Sequence, residues 1–583
     1  MSVLVTAKPE KAWQPREHEH SQRIHSWTTR RDEKQRRMQI VSKWMTDAVL
    51  RQDKLVQALE ALVAPADRVV LEGNNQKQAD FLSRSLVQAD PKKLYDLHLI
   101  ISSISRPEHL ELFELGIAKK VDFAFAGPQS IRIAHLLEDG VLEIGAIHTY
   151  VELYARLFVD LVPNVVLVCA EQAGRAGNPY TGPNTEETPV IVEAAAFHDA
   201  IVIVQANQIV ETLPRVDVPS SCVDIVVEAD RPFAIEPLFT RDPRHINDLQ
   251  ILVGMMVIRG IYELHQVHSL NHGIGFDTAA IELLLPTYGE SLGLRGKICQ
   301  YWVLNPHPTL IPAIESGWVK GVYSFGSELG MEDYVRARPD VFFTGRDGSM
   351  RSNRALCQLA GQYATDAFVG STLQIDGDAN SSTVTSDRLA GFGGAPNMGH
   401  DPRGRRHASS AWPALKKDSN PVTPGRKVVV QIAETFQKGG VPVFVETLDA
   451  VEVGRKAGIP IAPVMIHGDD VSHVVTEEGI AYLYKPEGIE ERRRALAAVA
   501  GISPIGLRAK TQETAQLRRR GIVAYPEDIG IQRLDANRSL LAAQSMEDLV
   551  EWSGGLYKNP RGPEAVVNAI ECLRLQRVAH PKK

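Results

Sequence analysis

The run DRVVLEGN (67–74), followed after one residue by QKQADFLSRSLVQAD (76–90), decides the class of fold. Val69, Val70 and Leu71 are consecutive apolar residues, whereas Ala79, Leu82 and Leu86 recur at helical spacing. The same alternation continues through YDLHLIISS (95–103), VDFAFAG (121–127), NVVLVCAE (164–171) and AIVIVQANQ (200–208). Strands that are apolar on both faces and separated by helices predict a parallel sheet covered on both sides. A second series opens with the helix NDLQILVGMMVIRGIYELH (247–265). It continues through GKICQYWVL (296–304), GVYSFGSE (321–328), KVVVQI (427–432), VPVFVETL (441–448) and APVMIHGDD (462–470). The expected fold is therefore α/β, with two open α/β domains and mainly parallel sheets.

Three segments follow from this pattern: a charged N-terminal arm and helix (1–64), a first domain (65–235) and a second domain (236–583). The proline- and charge-rich stretch RPFAIEPLFTRDPRH (231–245) reads as the linker between the domains. The basic, proline-punctuated stretch 400–426 reads as a surface excursion of the second domain; its length suits either a functional loop or a solvated one.

Composition removes several function classes. The 583 residues carry 64 Lys and Arg against 71 Asp and Glu, a net charge of -7, which is no signature for nucleic acid or an anionic surface. No run approaches the roughly 18 apolar residues needed to cross a bilayer, and the opening MSVLVTA is too short for an export signal, so a cytoplasmic location is expected. Cys169, Cys222, Cys299, Cys357 and Cys572 are scattered without a CxxC pair, which reads as reduced thiols. His18, His20 and His25 lack a second ligand pair at zinc-site spacing, so no metal is expected.

Open α/β sheets bind ligands beyond the carboxyl ends of their strands, so the polar residues there are the candidates. They are Gly73 and Asn74 after the first strand, Gly177 and Asn178 in AEQAGRAGN (170–178), and Gln205 and Asn207 at the end of AIVIVQANQ. Glu328 closes GVYSFGSE, where a carboxylate serves as nucleophile or base, or merely complements a helix dipole with Glu332 and Asp333. Asn380 ends QIDGDAN (374–380). The run Gly391-Phe392-Gly393-Gly394 exposes unobstructed peptide N–H groups, as either an ordinary turn or a cradle for a developing oxyanion.

Taken in order, AEQAGRAGN, Gln205-Ala206-Asn207, Gly273-Ile274-Gly275, Gly326-Ser327-Glu328, QIDGDAN, GFGG (391–394) and VVTEEGIAYL (474–483) resemble the acetyl-CoA hydrolase/CoA-transferase family over residues 65–510. Within it, EGNNQKQADFLS (72–83), the block from SFGSELGMED (324–333) to QIDGDANS (374–381), and GISPIGLRAKT (501–511) resemble the malonate decarboxylase alpha subunits. The resemblance implies a CoA-transferase-like fold and an exchange of acetate for malonate on the thioester of an acyl-carrier subunit. That carrier bears a phosphoribosyl-dephospho-CoA arm, for which free CoA is an analogue. It also implies decarboxylase subunits as partners and no permanently bound cofactor, and leaves pairing with a second copy open.

Carried over to this chain, the resemblance implies Glu328, Gly393 and Gly394 as catalytic. Gly73, Asn74, Gly177, Asn178, Gln205, Asn207, Asn380, Gly391 and Phe392 are implied as contacts to substrate or the CoA arm. The flanking SELGMED departs from the family pattern S-E-M/V-x-x-D-G and leaves a nucleophilic and a purely electrostatic Glu328 both open. A freestanding CoA transferase or acyl-CoA hydrolase, and a non-catalytic scaffold docking the carrier, are the alternatives.

Overall fold

The computed structural model describes residues 27–74, 76–346, 352–402 and 426–560. His18, His20, His25, Cys572 and most of the 400–426 excursion, with Arg403, Arg405 and Arg406, lie outside them.

Ten strands build the first sheet. Its central order runs Ile225–Glu228, Ile201–Val210, Val165–Gly174, Arg68–Leu71, Leu97–Ser103, Ala118–Phe125 and Glu143–Ile147. All of these neighbours pair in parallel. The small hairpin Met45–Thr46 and Val49–Leu50 extends one edge, and Pro179–Tyr180 pairs antiparallel with Val165–Gly174.

The apolar runs are explained by burial on both faces. Val69 and Leu71 enter one core with Leu99, Ile101, Val121 and Phe123. Val70 enters the opposite core with Ile100, Val166, Val168 and Val202. Each such side chain removed from water contributes about 2 kcal/mol.

The second sheet has eight strands in the order Gly321–Tyr323, Tyr301–Val303, Ser269–His272, Ala367–Ser371, Val428–Ile432, His473–Val475, Ile480–Tyr482 and Val523–Ala524. The first six are parallel and the last two antiparallel. Val428, Val430 and Ile432 face one core, and Val429 faces the other. The run GVYSFGSE is strand only as far as Tyr323; a loop carries the chain on to the helix Glu332–Ala337, so Glu328 lies in that loop.

The two halves are stitched together. Val384, Leu389, Leu448, Ala450 and Val453 of the second half join the first sheet's core. Gly391 bridges to Phe125 at the end of a first-sheet strand. At the other end of the chain, the helix Trp27–Val41 carries Arg30, Lys34 and Arg37 on one stripe. Arg30 donates to the carbonyls of Pro163 and His198, Lys34 to Ala200, and Arg37 to Leu62 and to Asp67. That helix owes its position to these bonds more than to an apolar face.

Candidate active site

A cavity of about 200 Å³ lies beyond the carboxyl ends of both sheets. Its wall takes Gln76, Phe125 and Tyr150 from the first half, Leu238 and Phe239 from the linker, and the strand-end residues Asn271–Ile274, Asn305, Phe325, Gly370 and Ser371 from the second sheet. Arg354, Gln358, Phe368, Thr383, the run Ala390–Ala395, Met398 and Met465 complete it.

The loop 390–393 reaches this position by running along the end of strand Ala118–Phe125. Ala126 N donates to Ala390 O at 2.9 Å, Phe392 N and Gly393 N both donate to Ala124 O at 2.7 and 2.9 Å, and Tyr150 N donates to Gly393 O at 3.2 Å. Gly391 sits at φ +72°, and a Cβ there would strike the Ala124 carbonyl, so only glycine fits. Two of the peptide N–H groups expected to face a substrate are therefore spent on Ala124. The Gly394 N–H is not.

Glu328 does not line the cavity. Its Oε1 accepts from Phe239 N at 3.0 Å, Thr240 N at 2.8 Å and Thr240 Oγ1 at 2.8 Å, while Oε2 has no partner. The carboxyl thus sits one layer behind the wall, pinning the linker segment whose Phe239 forms that wall. Glu328 itself lines a separate small crevice with Pro183, Pro306, Ser327, Met331, Glu332, Val335 and Arg336. Burial pushes the Glu328 carboxyl up to about 7, against the pull of the Thr240 and Phe239 hydrogen bonds and of nearby His307.

The remaining candidates separate. Gly391 and Phe392 line the cavity. Gln205 accepts the Phe81 and Leu82 N–H groups at 2.9 and 3.1 Å, so its amide caps the helix Asp80–Val87 from a neighbouring strand. Gly73–Asn74 is a short strand paired with Lys77–Gln78, and the Asn74 amide donates to Glu187 at 3.2 Å. Asn207 accepts from Phe233 N at 2.9 Å and so holds the linker. Gly177, at φ +96°, turns the chain before Pro179–Tyr180, and Asn178 O receives the Gly174 N–H. Asn380 closes a turn onto Asp376 and accepts from Gly468 N at 2.9 Å. Gln205, Asn207, Gly177 and Asn380 thus each have a place in a turn or cap, and none of them lines the cavity.

Sequence reasoning missed Arg354, Gln358, Gln76 and Tyr150. Asn353 caps the helix Arg354–Tyr363, accepting from Leu356 N, and Arg354 and Gln358 stand one turn apart on it. Arg354 Nη2 donates to Glu186 Oε2 at 2.6 Å, and the guanidinium lies 4.5 Å from the centre of the Tyr150 ring. Burial works against its charge, but Glu186, with Tyr150, Tyr154 and Glu187, outweighs that and holds Arg354 firmly protonated. Behind the wall, Glu282 accepts from His272, His307 and Thr309, and the two imidazoles keep its carboxyl low against the opposing effect of burial. No group of three or more metal-ligating side chains occurs among the described residues.

Comparison with known proteins shows the family. The family described as malonate decarboxylase, alpha subunit, transporter matches residues 26–563. The chain belongs to that family. An acetyl-S-ACP:malonate ACP transferase from Malonomonas rubra is 56% identical over 515 residues, covering 87% of this chain and 92% of the relative. Among solved structures, a Pseudomonas malonate decarboxylase hetero-tetramer in complex with malonate is 68% identical, with TM-score 0.90 over 92% of this chain and 98% of that one. The citrate lyase alpha subunit from Streptococcus mutans, at 15% identity and TM-score 0.55 over 79% of this chain and 87% of that one, shares the fold. Members of this family therefore keep the two-sheet α/β architecture. No helix among the described residues is long and apolar enough to cross a membrane.

Proposed function

We propose that the chain exchanges acetate for malonate on the thioester of a carrier subunit within a malonate decarboxylase complex. The carrier arm is read as a phosphoribosyl-dephospho-CoA, and the decarboxylase subunits as neighbours in the cytoplasm. The observation that carries the reading is the cavity itself. It opens beyond the strand ends of both sheets, and its wall includes Phe125, Phe239, Phe325, Phe368, Phe392 and Gly394, whose peptide N–H is not bonded to Ala124.

In the exchange, an oxygen of malonate attacks the acetyl carbonyl, the carbon–sulfur bond breaks, and the thiolate leaves an acetyl–malonyl anhydride. The thiolate then attacks the malonyl carbonyl of that anhydride and acetate departs with the bridging oxygen. No net proton moves. Both steps place negative charge on a carbonyl oxygen, and a single fixed N–H donor there is worth about 3 kcal/mol, or about a hundredfold in rate.

The placement of Glu328 supports direct attack by malonate over a covalent glutamyl intermediate. Its Oε1 is occupied by three donors, and it sits behind Phe239. Its part is to hold the linker in place. The test is incubation of labelled malonate with acetyl-carrier and the purified chain, with hydroxylamine trapping alongside. Labelled malonyl-carrier without a trapped Glu328 adduct is expected. Transfer from acetyl-CoA but not from acetyl-carrier would favour a freestanding CoA transferase, and carrier binding without transfer would favour a scaffold.

A further inference from the structure

Most polar side chains on the cavity wall are fully engaged by the protein. Asn271 donates to Val303 O, Asn305 to Ser327 O and Thr383 to Gly391 O. His272 bonds Tyr262 and Glu282, Ser371 bonds Asp277, and Tyr150 bonds Ser103. Three side chains break the pattern: Arg354 Nε, Gln76 Nε2 and Gln358 Oε1 are buried atoms with no hydrogen-bond partner. These residues are 5%, 1% and 2% exposed, and a polar atom left so is costly unless something else satisfies it. Arg354 is the only lysine or arginine among the residues lining the cavity.

The surroundings hold the guanidinium in place at some expense. Glu186, its ion-pair partner, has φ +36°, a left-handed conformation that is strained for a glutamate. Ser352 and Asn184 brace the same junction: Ser352 Oγ donates to Asn184 Oδ1 at 3.0 Å, and the Glu186 and Thr185 N–H groups donate to Ser352 Oγ. Two glycines give way around the pair. A Cβ on Gly326 would strike the Glu186 carboxylate, and one on Gly394 would strike the Gln358 amide. An amide oxygen and nitrogen exchange places by a flip, so Gln358 can present a donor as Gln76 does. A charged fork and two amides on one cavity wall, whose other polar side chains are already bonded within the protein, are matched to a carboxylate.

We propose that Arg354, with Gln76 and Gln358 beside it and Glu186 as its positioning residue, binds the second, non-reacting carboxylate of a short dicarboxylate and so selects it over a monocarboxylate. This rests on the exchange reading above and adds the source of its acid specificity. Malonate keeps one carboxylate free while the other reacts; acetate has none to spare. When acetate itself is the attacking acid, the fork goes unused.

The test compares labelled malonate and labelled acetate entering acetyl-carrier, in the assembled complex, for wild type and Arg354→Met. A loss of about a hundredfold in kcat/KM for malonate, with acetate exchange falling by no more than about fivefold, is expected. Equal losses for both acids, or none for malonate, would overturn the proposal. Because Arg354→Met leaves Glu186 unpaired, Arg354→Met/Glu186→Gln and the size-matched Gln358→Met serve as folded controls. Gln358→Met is expected to lose about tenfold for malonate alone. A readout without turnover separates this from the exchange reading: malonate raises the melting temperature of wild type, while acetate does not, and Arg354→Met abolishes the rise. If that holds while no acid exchanges, the exchange reading fails and the subsite stands. If malonate gives wild type no greater rise than acetate, the subsite fails.

Discussion

Replacing Glu328 with glutamine tests whether this carboxyl is a structural clamp. Burial moves it from an ordinary 4.5 up to about 7 in the folded protein. Below pH 4.5 both folded and unfolded chains hold the proton, and the group exerts no penalty. As the pH rises from 4.5 through 7, the unfolded chain gives up its proton while the folded chain resists, so stability is lost across that window and stays lost above it. At about 1.4 kcal/mol per tenfold in acidity, the loss reaches about 3 kcal/mol. Glutamine cannot ionise, and its amide oxygen can accept the same three donors from Phe239 and Thr240. Its NH2 group replaces an oxygen that already lacks a partner. Denaturant midpoints for wild type and Glu328→Gln at a series of pH values between 4.5 and 8.5 give the check. The variant should gain on wild type as the pH climbs to 7, and hold a constant advantage of order 3 kcal/mol beyond. Exchange activity, measured in parallel, should stay within about tenfold of wild type. A stability difference that does not change with pH would refute the account of burial, and a collapse of exchange in a well-folded variant would restore the nucleophile.

Other perturbations separate the cavity from its supports. Gly394→Ala pushes a methyl group against the Gln358 amide, so malonate exchange should fall at least tenfold while the melting temperature drops only slightly. Gln205→Ala removes the cap on the helix Asp80–Val87 and leaves two buried N–H groups open; a loss of about 2 kcal/mol in denaturant stability is expected, with KM for malonate unaltered in the protein that remains folded. Phe368→Ser admits water beside the anhydride, and the ratio of free acetate released without malonyl-carrier to acetate released with it should rise, as counted by product analysis. An unchanged ratio would mean that water is excluded elsewhere.

The architecture was legible because its signal is repeated. Val69, Val70 and Leu71 face two different cores, and the same two-sided burial recurs at Val165–Ala170 and Ile201–Val204, so continuous apolar runs spell a covered parallel sheet. In the GFGG loop, the structure shows a local need for glycine at 391, where φ is +72° and a Cβ would strike Ala124. The helix Arg354–Tyr363 shows where the sequence misleads. Leu356 and Tyr363 are 55% and 45% exposed while Arg354 and Gln358 are buried, the reverse of an ordinary amphipathic helix. A reader of that segment turns the leucines inward and loses the guanidinium. Local pattern also cannot tell a strand-end amide that meets a substrate from one that caps a helix far earlier in the chain. Gln205 meets Phe81 N–H from a segment far back in the chain, and Asn207 meets Phe233 N–H just ahead of it; neither partner is visible in the local pattern.

The inverted helix and the threaded glycine loop answer one requirement. A cavity that handles an anhydride must exclude water, yet must hold a doubly charged acid. An apolar wall alone satisfies the first and defeats the second, because burying an unpaired carboxylate costs several kcal/mol. Supplying a free cation only transfers the cost to the empty protein. Here the cation is compensated in advance: Glu186 carries the balancing charge, and the Tyr150 ring covers one side of the guanidinium. Glu186 belongs to the first half of the chain and Arg354 to the second, and the 390–393 loop is bonded to Ala124 and Tyr150 across the same junction. The charged fork, its counter-ion and the glycine wall therefore exist together only when the halves are docked. That ties the stability of the interface to the competence of the site, and explains why so many hydrogen bonds are spent on holding the glycine loop.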